Sequence, residues 1–134
     1  MSPTVASDPT RSKHRTRPKH KKRGSHPPMT LAMDGVHNAV RRVVDGLPRG
    51  SLLDVGAGYG GFSEWACDKG FEVTAMDVNP DAFQNEQIRC HAADLNGRWP
   101  VEDASYDVVV SIEVMEHLEN HNSFLRECCR VCKP

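Results

Sequence analysis

The stretch Leu52-Leu53-Asp54-Val55-Gly56-Ala57-Gly58-Tyr59-Gly60-Gly61 decides the fold. Its first half is a short apolar run from Ser51, the mark of a buried strand, and its second half packs four glycines into six residues. Glycines there let the chain turn sharply and let a ligand approach the backbone, where a side chain would clash. Phe62, Trp65 and Ala66 follow at helical spacing, and Gly70 suits a left-handed cap, so the unit reads strand, loop, helix. Outward from it, residues 71–76 form a second apolar run ending at Asp77, and Pro80 suits the first turn of a helix over about 80–87. A third strand over 88–93 leads to Asp94. A fourth, over 106–112, contains Val108, Val109 and Val110, and Asn120 or Asn122 can cap a last helix running to about Val131. Upstream, Val36, Ala39, Val40, Val43, Val44 and Leu47 space an amphipathic helix over 32–46, broken by Pro48-Arg49-Gly50. Continuously apolar strands alternating with helices predict an α/β fold, a Rossmann-like doubly wound parallel sheet with about four strands present.

The chain of 134 residues has a formal net charge of −1, which conceals a split. Residues 1–28 carry eight Lys/Arg against one acid, +7, and residues 29–134 carry nine against seventeen, −8. Between Arg11 and His26 there is no aliphatic or aromatic side chain. Such a segment cannot offset its ordering entropy, so residues 1–28 are expected to be a disordered basic tail and 29–134 the folded domain. The tail fits either an electrostatic arm for nucleic acid or an inert solvated extension, and it lacks the apolar core of a secretory signal. No apolar run reaches the roughly 20 residues of a membrane helix.

Five cysteines, an odd number, predict free thiols and a reducing, cytoplasmic setting. Cys129-Arg-Val-Cys132 has CxxC spacing, but no second pair completes a zinc set. On a helix, Phe124, Leu125, Cys128, Val131 and Cys132 form an apolar stripe, so buried small hydrophobes are the expected reading.

In such a sheet, ligands bind beyond the carboxyl ends of the strands, where strand order reverses. Gly56 to Gly61 satisfies GxGxxG, and Asp77 lies near the distance of a ribose-binding acid, as in a nicotinamide oxidoreductase. Asp54, however, sets a carboxylate where a pyrophosphate would pass, and favours a cofactor carrying an ammonium and a sulfonium. Asp94 offers an acceptor for an exocyclic amine, and the fourth strand ends in polar groups, Ser111-Ile112-Glu113-Val114-Met115-Glu116-His117. Singly, Asp54 and Asp77 also fit loop caps and Asp94 an Asx turn. Four strand-end acids around one glycine loop favour a common site.

These segments resemble the class I S-adenosylmethionine-dependent methyltransferases. Residues 52–60 resemble their motif I, 73–77 their second strand, 93–95 the adenine-contacting segment, and 107–118 with 124–134 motif IV and the helix after it. The resemblance covers about 30–134. It implies S-adenosylmethionine as cofactor, with Gly56, Ala57, Gly58, Tyr59 and Gly60 at the methionine and ribose, Asp77 and Val78 at the ribose, Asp94 and Leu95 at the adenine, and Asp54, Ser111 and Ile112 completing the site. Family members continue with three further strands, so the chain resembles the amino-terminal half of the fold.

Methyl transfer to a hydroxyl needs a base, or a metal, that lowers the acceptor's pKa. Glu113 and His117 are the candidate catalytic pair. Glu113, Glu116 and His117 resemble the magnesium-binding segment of small-RNA 2′-O-methyltransferases and of ubiquinone-pathway O-methyltransferases, which makes Mg2+ a candidate second cofactor. Glu116 and His117 also fit a loop-capping role. The expected substrate is a small-molecule methyl acceptor. A cofactor-holding binding protein is the alternative.

Overall fold

A computed structural model describes residues 34–134. The expected basic tail, 1–28, lies outside the described residues. Three helices, α1 (Asp34–Asp45), α2 (Gly61–Asp68) and α3 (His121–Val131), accompany four strands: β1 (Ser51–Val55), β2 (Glu72–Asp77), β3 (Cys90–Ala92) and β4 (Val108–Ser111). The strands pair in the order β3-β2-β1-β4, all parallel, with Leu52 opposite Val73 on one side and Val108 on the other. The chain thus builds outward from β1 to β3, then crosses back to lay β4 on the other flank of β1. The order reverses at the carboxyl ends of β1 and β4.

Strand alternation distributes β1 between two cores. Leu53 and Val55 join Met76, Leu95, Trp99, Phe124 and Val131 on the face covered by α3. Leu52 joins Val44, Phe62, Ala66, Phe71 and Val110 on the face covered by α1 and α2. Asp54, two residues beyond Leu52, therefore points toward α2. Helix α2 ends as expected at a left-handed Gly70 (φ 92°), where Gly70 N–H donates to Cys67 O and Phe71 N–H to Ala66 O, the paired bonds of a Schellman stop.

Several expected elements are altered. The helix over 80–87 is a single 3₁₀ turn, Pro80–Ala82. Phe83 turns extended and its ring packs over Gly60, Gln84 N–H donates to Tyr59 O (3.1 Å), and Asn85 Oδ1 accepts from Gln87 N–H, so the segment is spent on bracing the glycine loop. The third and fourth strands shorten, with Tyr106 reduced to an isolated bridge to Cys132. At that end Asp107 accepts from Ser51 N–H (2.8 Å), Ser51 Oγ and Lys133 Nζ (2.9 Å), stapling β1, β4 and the segment after α3, and these donors hold its carboxyl far below the usual range. On α1 the buried positions are His37 and Val44, whereas Val36 and Val43, and Leu47 just after the helix, are exposed. On α3 Cys128 is half-buried against the core and Cys132, just beyond the helix, is half-buried too, whereas Cys129 is exposed, so burial of the CxxC pair holds only in part. Of the expected apolar stripe Phe124 and Val131 are buried and Leu125 is exposed, and the inward face also holds Glu127. Glu127 is tolerated there because it accepts from Trp99 N–H (2.8 Å) and pairs with Arg130, which also reaches Val101 O (2.9 Å) and Asp103. Asn120 caps α3, accepting from Ser123 N–H at 3.0 Å.

Candidate functional site

A cavity of about 470 Å³ opens at the carboxyl ends of the strands, at the point where strand order reverses. One wall is the glycine loop. Gly56 and Ala57 N–H both donate to Met76 O, folding the loop over the end of β2, and Gly58 N–H donates to Asp77 Oδ2 at 2.8 Å. Gly56 (φ 77°) and Gly60 (φ 93°) are left-handed and crowded: a Cβ on Gly56 would overlap Val114, and one on Gly60 would stand 2.7 Å from the Phe83 ring. Both positions therefore require glycine twice over, by conformation and by close approach.

Three carboxylates face the cavity from three successive strand ends. Asp54 is the most buried, 3% exposed, and its Oδ2 accepts from Ser63 Oγ of α2 at 2.6 Å. Burial pushes its carboxyl up to about 6, with Asp77 adding to the rise and the Ser63 bonds opposing it. Asp77 spends one oxygen on Gly58 N–H and the other on Asn79 N–H (2.8 Å), so it orients the glycine loop as well as facing the cavity. Asp94 forms the Asx turn allowed by its sequence, accepting from Asn96 N–H at 3.0 Å, and still lines the cavity. Val78, Leu95 and Ile112 supply apolar wall between the acids.

The opposite lip follows β4. Glu113 adopts φ 53°, a left-handed conformation rare for a residue with a side chain and costing on the order of 1 kcal/mol or more. Glu116 and His117 lie in the 3₁₀ turn Met115–His117, and all three polar side chains line the cavity from exposed positions. The expected metal set is not assembled: among the described residues no three His, Cys, Asp or Glu side chains converge to hold an ion. Glu116 and His117, as successive residues of a 3₁₀ turn, point about 120° apart, and Glu113 lies outside that turn.

The remaining expected site residues fall outside the cavity wall. Ser111 Oγ donates to Val55 O at 3.0 Å across the β1–β4 pairing, and Tyr59 and Gly60 lie off the wall. Sequence reasoning missed His37 of α1, Phe62 and Asn96, which do line the cavity. His37 and Phe62 are brought together with ring centroids 6.2 Å apart. For His37, its placement on the inner side of an amphipathic helix was the available signal; Asn96 had none.

The site's chemistry suits S-adenosylmethionine. The volume lies within the roughly 300–1,000 Å³ of small-ligand sites. The carboxylates offer partners for an ammonium, ribose hydroxyls and an exocyclic amine, and they would repel a pyrophosphate. Among the described residues, no helix is long and apolar enough to cross a membrane.

Residues 53–134 match the family model described as a methyltransferase domain. The chain is 30% identical over 113 residues to the ubiquinone biosynthesis O-methyltransferase of Proteus mirabilis, covering 72% of this chain and 43% of that protein. It is 36% identical over 101 residues to the 2-methyl-6-phytyl-1,4-hydroquinone methyltransferase of Synechocystis, covering 68% and 31%. Among solved structures, the PH0226 protein of Pyrococcus horikoshii superposes with a TM-score of 0.64 at 27% identity, over 74% of this chain and 47% of that one. The chain thus spans less than half the length of these relatives.

Proposed function

Because the chain belongs to the methyltransferase-domain family, we propose that it binds S-adenosylmethionine in the strand-end cavity and directs its methyl group to an oxygen of a small organic acceptor. The observation that carries this reading is the buried Asp54 carboxylate, held by Ser63 beneath a glycine loop and flanked by Asp77 and Asp94 on one cavity. The bound cofactor supplies an electrophilic methyl on a sulfonium, whose departure leaves a neutral thioether.

The chain's own residues do the rest. Asp54 pairs with the ammonium of the methionine end. Asp77, braced against Gly58, accepts from ribose hydroxyls. Asp94 accepts from the adenine amine while Val78 and Leu95 flank the ring. Ile112 and Phe62 exclude water from the reacting end, which strengthens the charge interactions there. On the lip, where both line the cavity, Glu113 and an imidazole nitrogen of His117 would take the proton of a hydroxyl acceptor. The name of the Proteus relative, an O-methyltransferase of quinone biosynthesis, supports oxygen as the acceptor atom and a hydroxylated aromatic ring as the substrate class. Five free cysteines support a reducing, cytoplasmic compartment.

Calorimetric titration tests the cofactor. S-adenosylhomocysteine should bind saturably and NADH should not, and Asp54→Ala should abolish binding; saturable NADH binding without S-adenosylhomocysteine binding would reject the proposal. Transfer of labelled methyl to simple catechols or hydroquinones tests the chemistry. Loss of transfer in His117→Gln with S-adenosylhomocysteine binding intact is the expected pattern, and unchanged transfer in that variant removes His117 from the reaction.

A further inference from the structure

We propose that Asn96 is a positioning residue that couples the adenine end of the cavity to the lip carrying Glu113, Glu116 and His117. The inference rests on the cofactor reading above and extends it to how the two ends of the site communicate.

The geometry is a two-sided clamp. On one side the Asn96 backbone N–H (3.0 Å) and Nδ2 (3.3 Å) both donate to Asp94 Oδ1. On the other, Asn96 Oδ1 accepts from Glu119 N–H (2.8 Å) and Asn120 N–H (3.0 Å), the last two residues before α3. The lip's own bonds, His117 N–H to Val114 O and Leu118 N–H to Met115 O, close within the turn. Asn96 therefore ties the segment that directly follows that turn, across some twenty residues of chain, to the loop after β3. Asn120, held by its N–H, in turn caps α3 through Oδ1.

The chemistry of the side chain is specific. The clamp needs an acceptor for two amides and a donor to a carboxylate, carried on one short planar group. Among side chains of this length only the Asn amide has both. Aspartate would keep the acceptor but set a second negative charge against Asp94. Both donations fall on Asp94 Oδ1, leaving Oδ2 outside the clamp and available to a ligand amine. A ligand that orders Asp94 thus orders Asn96, and through it the backbone on which the lip is mounted.

NMR-detected amide exchange on the full chain, with and without S-adenosylhomocysteine, tests this. In the unmodified protein the ligand should slow exchange both in the glycine loop, residues 56–60, and in the lip, residues 113–120. In Asn96→Ala, ligand-free exchange at Glu119 and Asn120 should rise about tenfold, the cost of one lost hydrogen bond. Added ligand should still slow the glycine loop but no longer the lip. Asn96→Asp should hold the two amides, with exchange within about twofold of the original, yet bind S-adenosylhomocysteine about tenfold more weakly because its charge opposes Asp94; this variant also keeps the test open should the alanine variant unfold. Unchanged exchange at Glu119 and Asn120 in Asn96→Ala, or lip slowing that survives there, would overturn the proposal. If the ligand slows nothing in the unmodified protein, the cofactor reading falls, and the ligand-free exchange rates still judge the clamp by themselves.

Discussion

Replacing Asp54 by asparagine should make the ligand-free protein more stable while disabling its site. Asp54 is 3% exposed and its carboxyl is raised from 3.8 to about 6, chiefly by burial. A shift of about two units corresponds to about 3 kcal/mol by which folding disfavours the ionised form. The sign follows from proton binding. Between pH 3.8 and about 6 the folded state holds the proton and the unfolded state does not, so this group's stabilising contribution is present below 3.8 and is lost as pH rises through about 6. Asparagine mimics the protonated form and can still accept from Ser63 Oγ, which now donates to Oδ2 at 2.6 Å. Asp54→Asn should therefore exceed the original protein by about 3 kcal/mol at pH 8 and by roughly half that at pH 5. For a body of about 100 residues the pH 8 difference raises Tm by roughly 10 °C or more. The assay is urea denaturation of both proteins at the two pH values, so that other titrating groups cancel in the comparison. S-adenosylhomocysteine titration alongside should show binding weakened at least about tenfold by loss of the charge partner for the ammonium. A variant less stable than the original at pH 8, or a stability difference that does not change with pH, would show that burial does not penalise the Asp54 charge.

Further expectations rest on single structural features. Binding of S-adenosylhomocysteine to the unmodified protein should strengthen from pH 5 to pH 7, because its ammonium prefers ionised Asp54, and a flat calorimetric profile over that range would contradict the pairing. Gly60→Ala should cost about 2 kcal/mol, since φ is 93° and the new Cβ meets the Phe83 ring; denaturation of the variant at the original midpoint would contradict this. Glu127→Ala should cost about 2 kcal/mol by leaving the buried Trp99 N–H without its acceptor and taking one carboxylate from Arg130, which keeps Val101 O and Asp103; an unchanged urea midpoint would show the pair to be dispensable.

Residues whose role is local are legible in the sequence alone. The apolar run into Gly56, Gly58 and Gly60 could only be a strand entering a tight turn. Asp54, Asp77 and Asp94 each stand at a strand end, so one topological rule places all three on the same cavity. Gly70 and Asn120 announce the two caps because a cap depends on bonds a few residues away. Where partners lie far along the chain, the same reasoning misjudges them. Nothing local in the sequence shows that the Ser111 hydroxyl donates to Val55 O of the parallel neighbour β1. Residues 80–87 have a helical start, but the Phe83 ring is drawn over Gly60, some twenty residues back.

The order of the four strands and of α1, α2 and α3, the glycine loop, the acids at the strand ends and the family were all legible along the chain, because those follow from hydrophobic period and local backbone chemistry. Folding adds that His37 and Phe62 join the cavity wall, that Glu113, Glu116 and His117 share a lip without forming a metal set, and that Asn96 spans from Asp94 to Glu119 and Asn120. Each of these depends on where two distant segments meet. That meeting is set by how α1, α2 and α3 bury their faces on the two sides of the sheet, and no short window of sequence records it.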